Sequence, residues 1–325
     1  MRKRPSTTTT SGWTSTSASS STGRSIDPLR HVKRRASVRL HLCAAAFAAL
    51  WVLGCTAQTV IYEKASPYNT IIVTEDHKGL RTLLFERGGG RQSVVKPGDP
   101  DHLELPYART ALAGLALCEE PRRMLVVGLG GGSLPMFLRA HYPAATIDVA
   151  EIDPDVVEVA KRFFGFREDE RMRAHVGDGR QFIENARQAD YDLIFLDAFG
   201  ARDVPKHLTT REFLQITRRA LVPNGVAVAN IWRPASNPLY DRMVRTYQEA
   251  FEEVFILDVP GDVNNIFLAL PRAQPLGQGE LALLARKIST VKRFRFDLGE
   301  LVEYGFLHAR EKNPQARALR DADRR

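Results

Sequence analysis

The sequence predicts an α/β protein: a mostly parallel sheet with helices on both faces, preceded by a small antiparallel β lobe. Two patterns point there. From residue 107 to residue 270 short apolar runs alternate with segments of helical period, and four β-prone runs at hairpin spacing come before them. A third sign is the glycine-rich turn "GLGGGS" at 128–133, between the first apolar run of the alternating part and the helical segment after it.

The lobe is read from "TVIYEKA", "NTIIVTED", "RTLLFE" and "RQSVV", separated by "SPY", "HKG" and "RGGG", where Pro and Gly favour turns. "YARTALAGLALC" then repeats its apolar residues at helical spacing. Strands follow at "RMLVVGLG", "ATIDVAEID", "MRAHVGD", "YDLIFLD", "GVAVANIW", "VFILDV" and "NIFLAL". Helices between them are read at "SLPMFLRA", "PDVVEVAKRFF", "GRQFIENA", "TTREFLQITRRAL" and "NPLYDRMVRTYQEAF". Pro154 and Pro238 suit first-turn positions, and Thr209 with Glu212 makes a capping box. Beyond Pro271, "ELALLARKIS" is a helix and "HAREKNPQARALRDADRR" a solvated tail without catalytic signal. The expected divisions are a leader over 1–57, the β lobe over 58–106, the sheet domain over 107–272 and a helical, polar C-terminal tail over 273–325.

Net charge is +8, which by itself would suggest nucleic acid, but its position argues otherwise. Residues 1–54 hold nine basic residues and one acid, while the 37 basic and 37 acidic residues of the remainder cancel. No nucleic-acid partner is expected for a neutral body. The leader begins with "STTTTSGWTSTSASSST", too poor in apolar residues to offset the entropy of ordering, and disorder is expected there. A basic segment and the apolar run 42–53 follow, ending at Gly54 and Cys55. That run is short for a bilayer span and reads as an export signal. Its ending "VLGC" resembles a bacterial lipoprotein signal, which implies lipidation at Cys55 and membrane attachment through the leader; a cytoplasmic body is the alternative. Cys118 is the one cysteine of the body, so no internal disulfide framework exists.

Candidate chemistry collects at the strand ends. Gly128, Gly130 and Gly132 sit where a tight turn and close ligand approach exclude side chains, although their spacing departs from the G-x-G-x-x-G of dinucleotide loops. Glu151 ends the next strand, at the distance expected for a ribose-binding acid. Asp178 ends the third, with Gly179 allowing a close turn suited to an adenine amino group. Asp197 ends the fourth, "YDLIFLD". Ligands of open α/β sheets bind at the carboxyl ends of parallel strands, so these positions together predict a nucleoside site.

The ordered set "YEKASPYNTIIVTED", "VVGLGGGS", "VAEIDPDVVEVAKRFF", "VGDGRQFI", "YDLIFLDAF" and "LVPNGVAVANIW" resembles the spermidine synthase (polyamine aminopropyltransferase) family over about residues 60–271. The resemblance implies a Rossmann-like, S-adenosylmethionine-type fold and transfer of an aminopropyl group from decarboxylated S-adenosylmethionine to an amine. It implies ribose contacts from Glu151, adenine-side contacts from Asp178 and Gly179, and proton acceptance or amine orientation by Asp197. Asn69, Tyr107, Asp203 and Pro205 are carried as substrate-side positions. No metal is expected, the co-substrate is S-adenosylmethionine or its decarboxylated form, and a homodimer is a further expectation.

Departures from the family pattern bear on the acceptor. Gly131 stands where the family loop carries an acid that binds the donor's ammonium, Ala108 and Arg109 follow Tyr107 in place of His and Glu, and Asn69 replaces a Gln. "DAFG" keeps Asp197 but has Gly200 in place of the second acid. An ammonium left unpaired in a closed pocket costs several kcal/mol, so an ordinary diamine is expected to be a poor acceptor. Two alternatives stand beside aminopropyl transfer: an S-adenosylmethionine-dependent methyltransferase, favoured by Gly131, and a nucleoside-binding lipoprotein without activity.

Overall fold

Four antiparallel strands, β1 (Thr59–Ala65), β2 (Thr70–Glu75), β3 (Arg81–Leu84) and β4 (Arg91–Val95), form a meander in chain order in the computed structural model. The structure describes residues 58–118, 120–200 and 204–324, within one unit spanning Thr56–Arg325. Cys55 and the rest of the leader, with Asp203, lie outside the described residues.

After the lobe, helix α1 (Pro106–Ala111) tightens into a 3-10 segment, Leu112–Leu117. An eight-stranded sheet follows. Its parallel half contains β5 (Arg123–Val127), β6 (Thr146–Glu151), β7 (Met172–Val176), β8 (Tyr191–Leu196) and β9 (Leu221–Trp232). Its antiparallel half contains β10 (Glu253–Asp258), β11 (Asn264–Leu270) and β12 (Phe306–His308). The spatial order is β12-β10-β11-β9-β8-β5-β6-β7, with every pair from β9 to β7 parallel. The intervening helices are α2 (Ser133–His141), α3 (Pro154–Val159), α4 (Gly179–Glu184), α5 (Arg211–Ala220), α6 (Tyr240–Ala250), α7 (Gln278–Val291) and α8 (Leu298–Tyr304). This is a Rossmann-like arrangement.

Alternation along β5 shows why both faces are covered. Met124 and Val126 face one apolar cluster with Phe137 of α2, Leu281 of α7 and Leu298 of α8, whereas Leu125 and Val127 face another with Ile183 of α4, Phe213 of α5 and Met243 of α6. The lobe has its own small core, in which Ile71, Val73, Leu83 and Phe85 pack on Val156, Val159 and Phe164. That contact fixes the lobe beside the glycine turn.

Asp153 caps α3 by accepting from Asp155 N at 2.9 Å, with Pro154 at the first position as expected. The cap of α5 is Thr210 rather than Thr209: Thr210 Oγ1 accepts from Phe213 N, while the Thr209 hydroxyl donates to Lys206 O. Glu212 does not close a capping box, because its carboxylate accepts from Asp321 N. Pro238 lies before α6, whose cap is Leu239. The chain beyond 308 is exposed over 310–315, as expected of a solvated tail, but its end docks on the body. Ala318 and Leu319 are buried, Arg180 holds Asp321 through two bonds at 2.8 and 2.7 Å, and Thr210 donates to the same carboxylate. Its polar residues have distant partners, which a local pattern does not reveal. No helix among the described residues is long and apolar enough to cross a membrane.

Candidate active site

The carboxyl ends of β5, β6, β7 and β8 meet under the lobe and enclose a cavity of about 320 Å³. The polypeptide at its floor is tied together by Gly128 N donating to Ala150 O at 2.9 Å and Asp197 N donating to Val127 O at 2.9 Å. Gly128 has φ +98°, and a Cβ there would lie 2.4 Å from the Asp197 carbonyl oxygen. Only glycine fits this close approach.

Glu151 ends β6 and is 8 % exposed. Its Oε2 accepts from Leu129 N at 2.9 Å and its Oε1 from Asp153 N at 3.0 Å, so it locks the glycine turn onto the neighbouring strand. Burial pushes its pKa up against these hydrogen bonds. Each oxygen keeps acceptor capacity toward the cavity. Asp178 caps α4 through Oδ1 to Gln181 N, while Oδ2 pairs with His207 Nε2 at 2.6 Å.

Asp197 follows β8, half-buried, and lines the cavity. Its Oδ1 accepts from Asn230 Nδ2 at 2.9 Å and its Oδ2 from the Tyr107 hydroxyl at 3.2 Å. Asn230 in turn accepts from Asn264 Nδ2 at 2.5 Å, which fixes its amide orientation. Burial raises the Asp197 carboxyl to about 6, although both hydrogen bonds oppose the shift. Tyr107 is pushed well above its ordinary value by burial and by the Asp197 charge. An acid ionised at neutral pH, oriented by two neutral donors and facing a cavity, can take a proton from a bound group.

The sequence-derived positions mostly converge. Gly128, Gly130, Glu151, Asp178, Gly179 and Asp197 all line the cavity, as do Asn69, Tyr107 and Pro205. Gly132 does not; it is the left-handed cap of α2, and a Cβ there would come within 2.9 Å of the Phe166 ring. At Gly131 a Cβ would stand 3.0 Å from both Phe164 Cδ1 and Ser93 Oγ, so the turn has closed over the space a side chain would need. Asn230, Asn264 and His207 were missed. Asn230 was visible as an amide inside the apolar run "GVAVANIW", whereas Asn264, just before the run "NIFLAL", and His207 carried no local signal. Among the described residues lining the cavity three are carboxylates and none is Lys or Arg. No cluster of three or more His, Cys, Asp or Glu groups able to hold a metal occurs among the described residues.

Fold and site together define a Rossmann-like protein with an acid-lined ligand cavity at the carboxyl edge of its sheet. Residues 106–261 match the model of the spermine/spermidine synthase domain. The polyamine aminopropyltransferase of Vibrio vulnificus (strain CMCP6) is 37 % identical over 273 residues, covering 81 % of this chain and 89 % of the relative. The chain belongs to the spermine/spermidine synthase family. The crystal structure of a probable spermidine synthase from Corynebacterium glutamicum ATCC 13032 shares the fold, with TM-score 0.65 and 20 % identity over 81 % of this chain and 97 % of that one. The eEF1A lysine and N-terminal methyltransferase of Bos taurus is 34 % identical over 214 residues, which are 60 % of this chain and 30 % of that protein's length.

Proposed function

We propose that the protein transfers an aminopropyl group from decarboxylated S-adenosylmethionine to an amine. The observation that carries this reading is the placement of Asp197 between Tyr107 and Asn230 in a cavity whose described lining has acids and no Lys or Arg. Decarboxylation leaves the donor with two positive charges and no carboxylate. Such a ligand suits this lining better than one that also carries an anion. Glu151 is assigned the ribose hydroxyls and Asp178 with Gly179 the adenine edge, following their places at the ends of β6 and β7.

The amine nitrogen attacks the carbon beside the sulfonium, forming N–C as C–S breaks. The bond electrons pass to sulfur, which leaves as the neutral thioether methylthioadenosine. A free alkylamine has a pKa of about 10, so most of it is protonated at neutral pH and unreactive. Asp197, raised to about 6, is a stronger base than an exposed Asp and is still ionised there. It holds the nucleophile in line and accepts its proton, while its charge favours the cationic donor.

The relation to a methyltransferase favours a second reading, in which intact S-adenosylmethionine donates its methyl group. Gly131 supports it by lacking an acid that would repel the donor's carboxylate. Mass spectrometry decides between them. Full-length protein with decarboxylated donor and amine is expected to give methylthioadenosine and an aminopropylated amine; S-adenosylhomocysteine from the carboxylated donor would instead establish methyl transfer. Attachment to a membrane through lipidated Cys55 is proposed from the leader sequence, and fatty-acid labelling that vanishes in Cys55→Ser is the check.

A further inference from the structure

A second cavity of about 280 Å³ opens beside the first and shares Gln92, Tyr107 and Phe199 with it. The amide pair that orients Asp197, Asn230 and Asn264, also lines it. An amine whose reactive nitrogen sits at Asp197 would therefore extend its other end into this space. Phe199 and Trp232 form one wall, their ring centroids 5.6 Å apart and their planes at 31°. Asp262, on the hairpin between β10 and β11, supplies the cavity's one acid among the described residues.

Asp262 is half-buried, and its Oδ1 accepts from Val263 N at 2.7 Å. Its Oδ2 has no protein partner among the described residues. The carboxylate lies near enough to Tyr107 to contribute to the rise in that hydroxyl's pKa, although burial and Asp197 contribute more. The other charged group on the lining is Arg91, whose exposed side chain makes no ion pair among the described residues. Sequence comparison with the family pattern left Gly200 without an acid, which argued against a diamine. The fold brings one, Asp262, into the adjoining cavity from a hairpin some 60 residues further along the chain.

We propose that Asp262 holds the far ammonium of a diamine acceptor, compensating for the acid absent at Gly200, with Phe199 and Trp232 walling its alkyl chain. This rests on the aminopropyl-transfer reading. The aromatic rings suit a methylene chain with a cationic end. Arg91 acts against the same cation from the rim.

The test is calorimetric binding of diaminobutane and butylamine to the full chain saturated with methylthioadenosine. Diaminobutane is expected to bind about tenfold or more tighter, the difference made by one charge-assisted hydrogen bond. Asp262→Asn keeps an oxygen for Val263 N, and is expected to abolish that preference while leaving butylamine affinity unchanged. Arg91→Gln is expected to tighten diaminobutane alone. Equal weakening of both amines by Asp262→Asn would reveal a merely structural hairpin residue and overturn the proposal, as would a wild type that does not prefer the diamine. Failure of the parent reading shows separately, as no methylthioadenosine formed from the decarboxylated donor with either amine.

Discussion

Replacing Asp197 by Asn is expected to remove activity while making the protein more stable, with a defined dependence on pH. The folded carboxyl has its pKa raised from 3.8 to about 6 because burial disfavours its charge. A group raised in the folded state stabilises the fold when protonated, and that contribution is lost as pH rises through the folded value. The wild type therefore bears a cost of about 3 kcal/mol near pH 8 and roughly half that near pH 5. Asn bears none of it and keeps both hydrogen bonds: Oδ1 accepts from Asn230 and Nδ2 donates to the Tyr107 oxygen, a hydroxyl able to accept. In thermal melts the variant's Tm is expected to exceed that of the wild type by roughly 5–10 °C near pH 8 and by about half that near pH 5. Turnover is expected to fall at least about 100-fold, as for loss of a general base. A Tm difference that is negative or independent of pH would refute the burial argument, and retained turnover would refute the assignment of Asp197 as base.

Gly128→Ala places a Cβ against the Asp197 carbonyl at a positive φ; a loss of donor binding and of at least about 1–3 kcal/mol of stability is expected in titration and denaturant unfolding. Glu151→Gln turns one acceptor into a donor facing a backbone N–H, so a loss of about 1–3 kcal/mol is expected together with weaker donor binding. Unchanged unfolding midpoints would show that Glu151 does not fasten the turn. Deleting residues 316–325 removes buried Leu319 and the Arg180–Asp321 pair, and is expected to cost about 2–3 kcal/mol, chiefly from apolar burial. A Tm equal to that of the full chain would restore the view of this segment as solvated.

The parts of the site legible in the sequence are those set by chain-local rules. Apolar runs that stop on Glu151 and Asp197 mark strand ends, Asp178 follows the third strand by two residues as the cap of α4, and parallel connection puts those ends on one edge. The glycine turn was readable for the same reason, although only the packing separates Gly128 and Gly130, which line the cavity, from Gly132, which packs on Phe166. What was illegible depends on partners far away in sequence. His207 reaches Asp178 across 29 positions, Asn230 reaches Asp197 across 33, and Asp321 meets Arg180 across 141. Only Thr209 has an acid three residues on, so the sequence pointed to it; packing of the C-terminal segment on α5 draws Glu212 away from the box, and Thr210 takes the cap. Asp262 carried no signal at all, since a hairpin aspartate is an ordinary turn residue.

The most direct test of aminopropyl transfer is a calorimetric titration of the full-length protein with decarboxylated S-adenosylmethionine and, in parallel, with S-adenosylmethionine. Tighter binding of the decarboxylated donor is expected, because the described lining carries net negative charge and offers a donor carboxylate no Lys or Arg. Tighter binding of S-adenosylmethionine, or binding of neither, would contradict it.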